Sequence, residues 1–217
     1  MDGAAPHRVV AIDGPAASGK SSVARELARR LRFFYVNSGA MYRAFTWHVL
    51  RNGTDPRDSV AVAQLVERSR IESRFLNDES RVLIDGVDPG EHLCEADVND
   101  NVSIVSSVPS VRQVLVEQMR AIAAGRDVVM EGRDIGSVVF PDTPFKFYID
   151  ASLEVRMRRR AAQGMRDAIT ARDQADSSRA TAPLVVAADA EVIDTSAVTI
   201  SGVVDEIMRR LKTKGLR

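Results

Sequence analysis

The chain has 217 residues, a length that suits one sizeable core with at most a small inserted lobe. Thirty Lys and Arg side chains balance thirty Asp and Glu, and a pI of about 6.9 leaves no global field to hold nucleic acid or an anionic membrane. The single cysteine, Cys94, excludes an internal disulfide and is expected as a packing residue of a cytoplasmic protein. No secretory h-region and no run of ~18 apolar residues occurs, so small-molecule partners are favoured over membranes, and a monomer is expected.

In chain order, residues 9–12 read as a buried strand. The strand leads into Gly14-Pro15-Ala16-Ala17-Ser18-Gly19-Lys20-Ser21, which completes the pattern G-x-x-x-x-G-K-[ST]. Residues 22–31 then place Val23, Leu27, Ala28 and Leu31 on one helical face. Strand, loop and helix are thus all present for a phosphate-cradling P-loop. Gly14 and Gly19 let successive N–H groups turn inward at a helix N-terminus. Lys20 adds a positive charge beside the β- and γ-phosphates, and the Ser21 hydroxyl suits a phosphate-bound Mg²⁺.

Further strands are expected at residues 33–36, 127–130, 145–149 and 190–193. Helices are expected at 40–52, 109–124, 153–163 and 202–212. Pro109 suits a first helical turn and Gly125 a C-terminal stop. Apolar strands alternating with helices predict an α/β fold with a central parallel sheet flanked by helices. Residues 71–99 break the rhythm: 71–76 and 81–85 alternate apolar and polar residues around Asn77-Asp78-Glu79-Ser80, which predicts a small antiparallel hairpin unit inserted into the core.

His7, His48 and His92 lack metal-ligand spacing, so no zinc site is expected. Seven arginines accumulate between Leu153 and Arg179, at 156, 158, 159, 160, 166, 172 and 179. Singly each reads as a solvated surface charge; together, in a chain that cradles a triphosphate, they suggest anion clamps. The Asn/Thr-Lys-x-Asp segment of guanine-reading switch proteins is absent.

The segments Tyr35-Val36-Asn37-Ser38-Gly39-Ala40-Met41-Tyr42-Arg43, Glu131-Gly132-Arg133-Asp134-Ile135-Gly136, Val138-Val139-Phe140-Pro141-Asp142, and Arg172-Asp173 through Asp176-Ser177-Ser178-Arg179 to Ala182-Pro183-Leu184 resemble, with the P-loop, the ordered motif series of bacterial cytidylate kinases. The resemblance spans nearly the whole chain. It implies a P-loop NTPase core (about 1–65, 105–152 and 180–217), an NMP-binding insert (about 66–104) and a short helical lid (about 153–179). It also implies transfer of the ATP γ-phosphoryl group to CMP, and to dCMP, with Mg²⁺.

By the same resemblance Lys20, Arg43, Arg133 and Arg179 carry the chemistry, and ATP lies along the loop from Gly14 to Ser22 and under Arg159. Arg43, Arg133 and Arg179 take the acceptor phosphate, and Ser38 belongs to the CMP-binding set. Asp134 accepts from the cytosine N4 amine, Arg112 and Ser103 address the rest of the base edge, and Arg172 and Asp176 lie near the ribose. Arg159 and Arg160 begin the lid, and Arg156 borders the adenine. No general base is needed, because the acceptor phosphate is already ionised.

Two positions depart from the family pattern. Asn37 stands where an Asp is usual, and only eleven residues separate Arg160 from Arg172, a short lid. Two other readings stay open at this point: a P-loop kinase for another pyrimidine or small-molecule acceptor, and an ATP-binding regulatory module without phosphotransfer.

Overall fold

The computed structural model describes residues 7–162, 169–179 and 181–216. Arg166 and the expected helix end at Gln163 lie outside them. The chain begins with β1 (Val9–Asp13), the phosphate loop, α1 (Lys20–Leu31), β2 (Phe34–Asn37), α2 (Ser38–Arg51) and α3 (Ser59–Arg68). A hairpin, β3 (Ile71–Leu76) and β4 (Glu79–Ile84), precedes a 3-10 turn at Gly90–Cys94, α4 (Ala96–Val105) and α5 (Pro109–Ala123). Then come β5 (Val128–Gly132), a π turn at Ile135–Val139, β6 (Phe145–Asp150), α6 (Leu153–Ala162), α7 (Ile169–Ser177), β7 (Glu191–Asp194) and α8 (Ile200–Thr213).

One seven-stranded sheet, in the order β3-β4-β2-β5-β1-β6-β7, forms the middle layer. Every neighbouring pair is parallel except β3 with β4. The two faces of β1 show why helices cover both sides: Val10 and Ile12 pack with α1 and α8, while Val9 and Ala11 pack with the α2, α3 and α5 side. Among the described residues no helix is long and apolar enough to cross a membrane.

The hairpin is antiparallel as expected, but its turn is tighter. Asn77 and Asp78 both take positive φ, 51° and 62°, the geometry of a two-residue type I′ turn, so Glu79 and Ser80 belong to the strand and face Leu76 and Phe75. The hairpin also joins the main sheet, through Tyr35 opposite Glu79 and the Tyr35 amide donating to the Asp78 carbonyl at 2.8 Å. The strand expected at 33–36 shifts by one residue because Phe33 N closes α1 onto the Ala28 carbonyl. Helix α3 was not expected; its Asp58 cap accepts from the amides of Val60 and Ala61 and starts a turn that buries Val62, Leu65 and Val66. Cys94 is not a packing residue. It ends an exposed 3-10 turn, and its carbonyl accepts from Asn99 Nδ2 at 3.0 Å.

Candidate active site

Because the core strands run the same way, the loops at their carboxyl ends open on one edge of the sheet and enclose a cleft of about 520 Å³. Its floor is the loop between β1 and α1. Gly14 has φ 154°, and a Cβ there would lie 2.1 Å from the Ile149 carbonyl oxygen, so only glycine lets the loop pass β6. Lys20 opens α1, is 7% exposed, and donates from Nζ to the Pro15 carbonyl at 3.1 Å. Burial first, then Arg133, Arg172 and Arg43, push its ammonium pKa down to about 7, against the pull of Glu131.

The hydroxyl of Ser21 donates to Glu131 Oε2 at 2.8 Å, and the buried Tyr35 hydroxyl donates to Glu131 Oε1 at 2.6 Å. Glu131 therefore ties the loop to β5 and β2 at once. Asp13, at the end of β1, accepts from the amides of Ile135 and Gly136 at 2.8 and 2.7 Å, which holds the π turn after Asp134 against the loop strand. Burial pushes the Asp13 carboxyl up to about 7 despite those two amides.

The wall opposite Lys20 is basic. Arg43 on α2 donates from Nε to Asn99 Oδ1 at 3.3 Å; Arg133 follows β5, and Arg172 and Arg179 come from α7 and just beyond it. Asp176 joins two of them, accepting from Arg133 Nε at 2.8 Å and pairing with Arg179. Burial raises its pKa, but Arg133 and Arg179 outweigh that and hold the carboxyl below its usual range. Arg172 is pushed down to about 9, by burial first and then by Arg43 and Arg133. Like charges held this close mark a site built for a polyanion.

Beside this wall Arg112 and Asp134 form an ion pair in which each residue is 3% exposed. Arg112 also donates to the Ser106 carbonyl at 3.3 Å and lies 5.4 Å from the Tyr42 ring centroid. Burial raises the Asp134 pKa, with Arg112, Arg179 and Arg133 pulling the other way.

Ala16, Ala17, Gly19, Lys20, Ser21, Ser22, Ser38, Arg43, Ser103, Arg133, Asp134, Arg159, Arg172, Asp176 and Arg179 all border the one cleft. Gly14, Pro15 and Ser18 shape the loop from behind, and Arg112 reaches the cleft through Asp134. Arg159 spans from α6 to the Ser18 carbonyl at 3.0 Å and the Thr195 carbonyl at 2.7 Å, closing the loop from above. Arg156 pairs with Asp173 and donates to the Ala16 carbonyl at 3.2 Å, while Asp173 accepts from the Ala16 amide at 3.1 Å. Asn37 accepts from the Ala40 amide at 3.0 Å, so the uncharged residue serves as the cap of α2. Sequence reasoning gave no role to Asp13, Tyr35, Glu131 or Thr195. The signal for Asp13 was an acid at the end of a buried strand next to the loop, while Tyr35 and Glu131 each open a motif segment that was read for its later residues.

Fold and cleft together define a kinase of the P-loop α/β class. A profile of the family described as Cytidylate kinase matches residues 10–213. A cytidylate kinase of Mycobacterium leprae (strain Br4923) is 44% identical over 218 residues, 95% of this chain and 96% of that protein. The cytidylate kinase of Pelotomaculum thermopropionicum is 44% identical over 214 residues, covering 93% and 95%, and that of Caldanaerobacter subterraneus subsp. tengcongensis 42% over 219, covering 95% and 96%. The chain belongs to the cytidylate kinase family.

Proposed function

We propose that the chain transfers the γ-phosphoryl group of ATP to CMP, and to dCMP, giving the diphosphate and ADP. The observation that carries this reading is the buried Arg112–Asp134 pair beside a wall of arginines, facing a triphosphate loop across one cleft. Cytosine offers an amino donor beside two acceptors, and a carboxylate next to a guanidinium is the complementary pair. Asp134 takes the N4 amine, Arg112 and Ser103 the remaining edge, and Arg172 with Asp176 the sugar. Arg43, Arg133 and Arg179, with Ser38, hold the acceptor phosphate in line with the donor.

Donor phosphates sit in the loop from Gly14 to Ser22, under Arg159. Lys20 follows the migrating group, where its attraction strengthens as charge gathers on the leaving oxygens. The residues fit a divalent cation brought in by the phosphates: Ser21 Oγ and Glu131 are hard oxygen donors 2.8 Å apart, and among the described residues no cluster of three His, Cys, Asp or Glu would hold a metal without substrate. Bound Mg²⁺ would neutralise phosphate charge. The guanidinium groups and Lys20 do the rest by positioning, and the acceptor phosphate attacks through an oxygen that is already ionised.

In this reading the core is formed by about 1–65, 105–152 and 180–217, the insert about 66–104 presents the acceptor side, and about 153–179 closes as a lid over ATP to keep water from the transfer. It describes a cytoplasmic monomer. Coupled ADP release over CMP, dCMP, UMP and AMP, with and without Mg²⁺, tests it. Turnover that depends on CMP and on Mg²⁺ is expected; preference for a different acceptor, or ATP turnover indifferent to any acceptor, would sink it.

A further inference from the structure

Thr195 directly follows β7, is 3% exposed, and lies 177 positions along the chain from the loop residue it bonds. Its amide donates to the Asp150 carbonyl at 2.8 Å, which continues the β6–β7 ladder past Asp194. Two carbonyls lie within reach of its hydroxyl, that of Ser18 at 2.8 Å and that of Asp150 at 3.1 Å. A hydroxyl has one proton to give, and the Asp150 carbonyl already has the amide, so the proton goes to Ser18. The same oxygen accepts from Arg159 Nη1 at 3.0 Å.

The Ser18 carbonyl and the Gly19 amide are two ends of one peptide plane and point opposite ways. Holding the carbonyl towards β7 therefore turns the Gly19 N–H to the other side of the loop. Gly19 has φ 95° and restrains its own backbone least of all residue types, so the plane needs a hold from outside. Arg159 Nη1 also reaches the Ser18 carbonyl, at 3.0 Å, but it does so from α6, whereas Thr195 does so from the end of a sheet strand.

Valine would fill the space of Thr195 without stripping either carbonyl of its last donor, because the Thr195 amide stays on Asp150 and Arg159 stays on Ser18. The hydroxyl is explained by the direction it gives the loop and not by the needs of the core. We infer that Thr195 is a positioning residue of the donor site, whose hydroxyl fixes the Ser18–Gly19 peptide so that the Gly19 N–H is preset for a phosphate oxygen. The inference rests on the donor phosphates lying in this loop, and it adds a residue from the far end of the chain that acts through the loop. A preset N–H spares the ordering that phosphate binding would otherwise have to supply.

The test compares the full chain with Thr195→Val and Thr195→Ser by calorimetric titration with ATP, inorganic tripolyphosphate and CMP, alongside thermal unfolding. Expected in Thr195→Val are ATP and tripolyphosphate binding weakened alike by about tenfold and CMP binding changed by less than about twofold, with Thr195→Ser within about twofold of the parent for all three. Loss of ATP binding without loss of tripolyphosphate binding would overturn the inference, because it would trace the effect to the nucleoside and not to the phosphate loop. Unchanged ATP binding, an equal loss for CMP, a Thr195→Ser chain as impaired as Thr195→Val, or a Thr195→Val chain that does not fold would overturn it as well. A parent chain that binds tripolyphosphate but not CMP would overturn the functional reading, while the tripolyphosphate comparison would still decide the role of Thr195.

Discussion

Ser21 Oγ lies 2.8 Å from Glu131 Oε2, so the hydroxyl that closes the phosphate loop is held by the strand that leads to Arg133. The phosphate loop and the strand before the arginine wall are joined through one carboxylate, whose second oxygen is occupied by Tyr35 at 2.6 Å. Glu131→Ala leaves the buried Tyr35 hydroxyl without its acceptor. Urea unfolding should show a loss of about 1–3 kcal/mol, with a smaller loss for Tyr35→Phe, because that change removes donor and partner demand together. Half-saturation by Mg²⁺ should also move to higher concentration in Glu131→Ala. An unaltered unfolding midpoint would show that the carboxylate is dispensable to the loop.

Lys20→Ala removes the buried ammonium that opens α1 at the end of the loop. Turnover should drop by about 100-fold or more while CMP affinity changes by less than about threefold, since the charge acts on the group in transit and not on the acceptor. Steady-state kinetics with a separate CMP titration distinguish this from a general loss of the site. Turnover within about threefold of the parent would reject the role.

Asp134→Ala should have two effects of different origin. Discrimination between CMP and UMP falls, because the amine-facing acceptor is lost. Stability falls by about 3–5 kcal/mol, because Arg112 stays buried without its counter-ion. Replacing Arg112 by Leu in the same chain should restore part of that stability but none of the discrimination. Chemical denaturation of both variants, with kcat/KM for each acceptor, checks the pair.

Asp13 gives a pH signature. Its carboxyl is raised in the folded chain from 3.8 to about 7, so between those values the folded state holds more of its proton than the unfolded state does. Stability contributed at this position is greatest at the acid end and is lost as pH rises towards 7. Asp13→Asn removes the titration. The stability of the parent relative to that variant should decline across this window and level off above it, and a difference that is flat with pH would contradict the burial argument.

The loop, its flanking strand and helix, and the alternation of strands with helices were legible in the sequence because each is a local pattern. Asn77-Asp78 hid the hairpin turn: neither residue is glycine, yet both adopt positive φ, and Glu79 and Ser80 look like turn residues until they are paired across from Leu76 and Phe75. The junction of β4 with β2 depends on a contact between positions 44 residues apart, Tyr35 and Glu79, that no window of sequence displays. Asp13 and Glu131 illustrate the same limit within the site. Each is an ordinary acid at a strand end, and its partners, Ile135 and Gly136 in one case, Ser21 and Tyr35 in the other, are neighbours only after the sheet is assembled. The cap at Asp58, by contrast, was there to be read ahead of Val62, Leu65 and Val66.

The common direction of the core strands has a practical side. Strand β1 starts where Arg8 N meets Asp127 at 2.7 Å, and beyond α8 Lys214 Nζ reaches the Pro144 carbonyl, at the start of β6, at 3.0 Å. Both described ends of the chain thus emerge on the rim away from the cleft mouth. Nucleotide entering the cleft therefore meets neither described end of the chain, and contacts made at Arg8 or Lys214 lie on the opposite rim from nucleotide traffic.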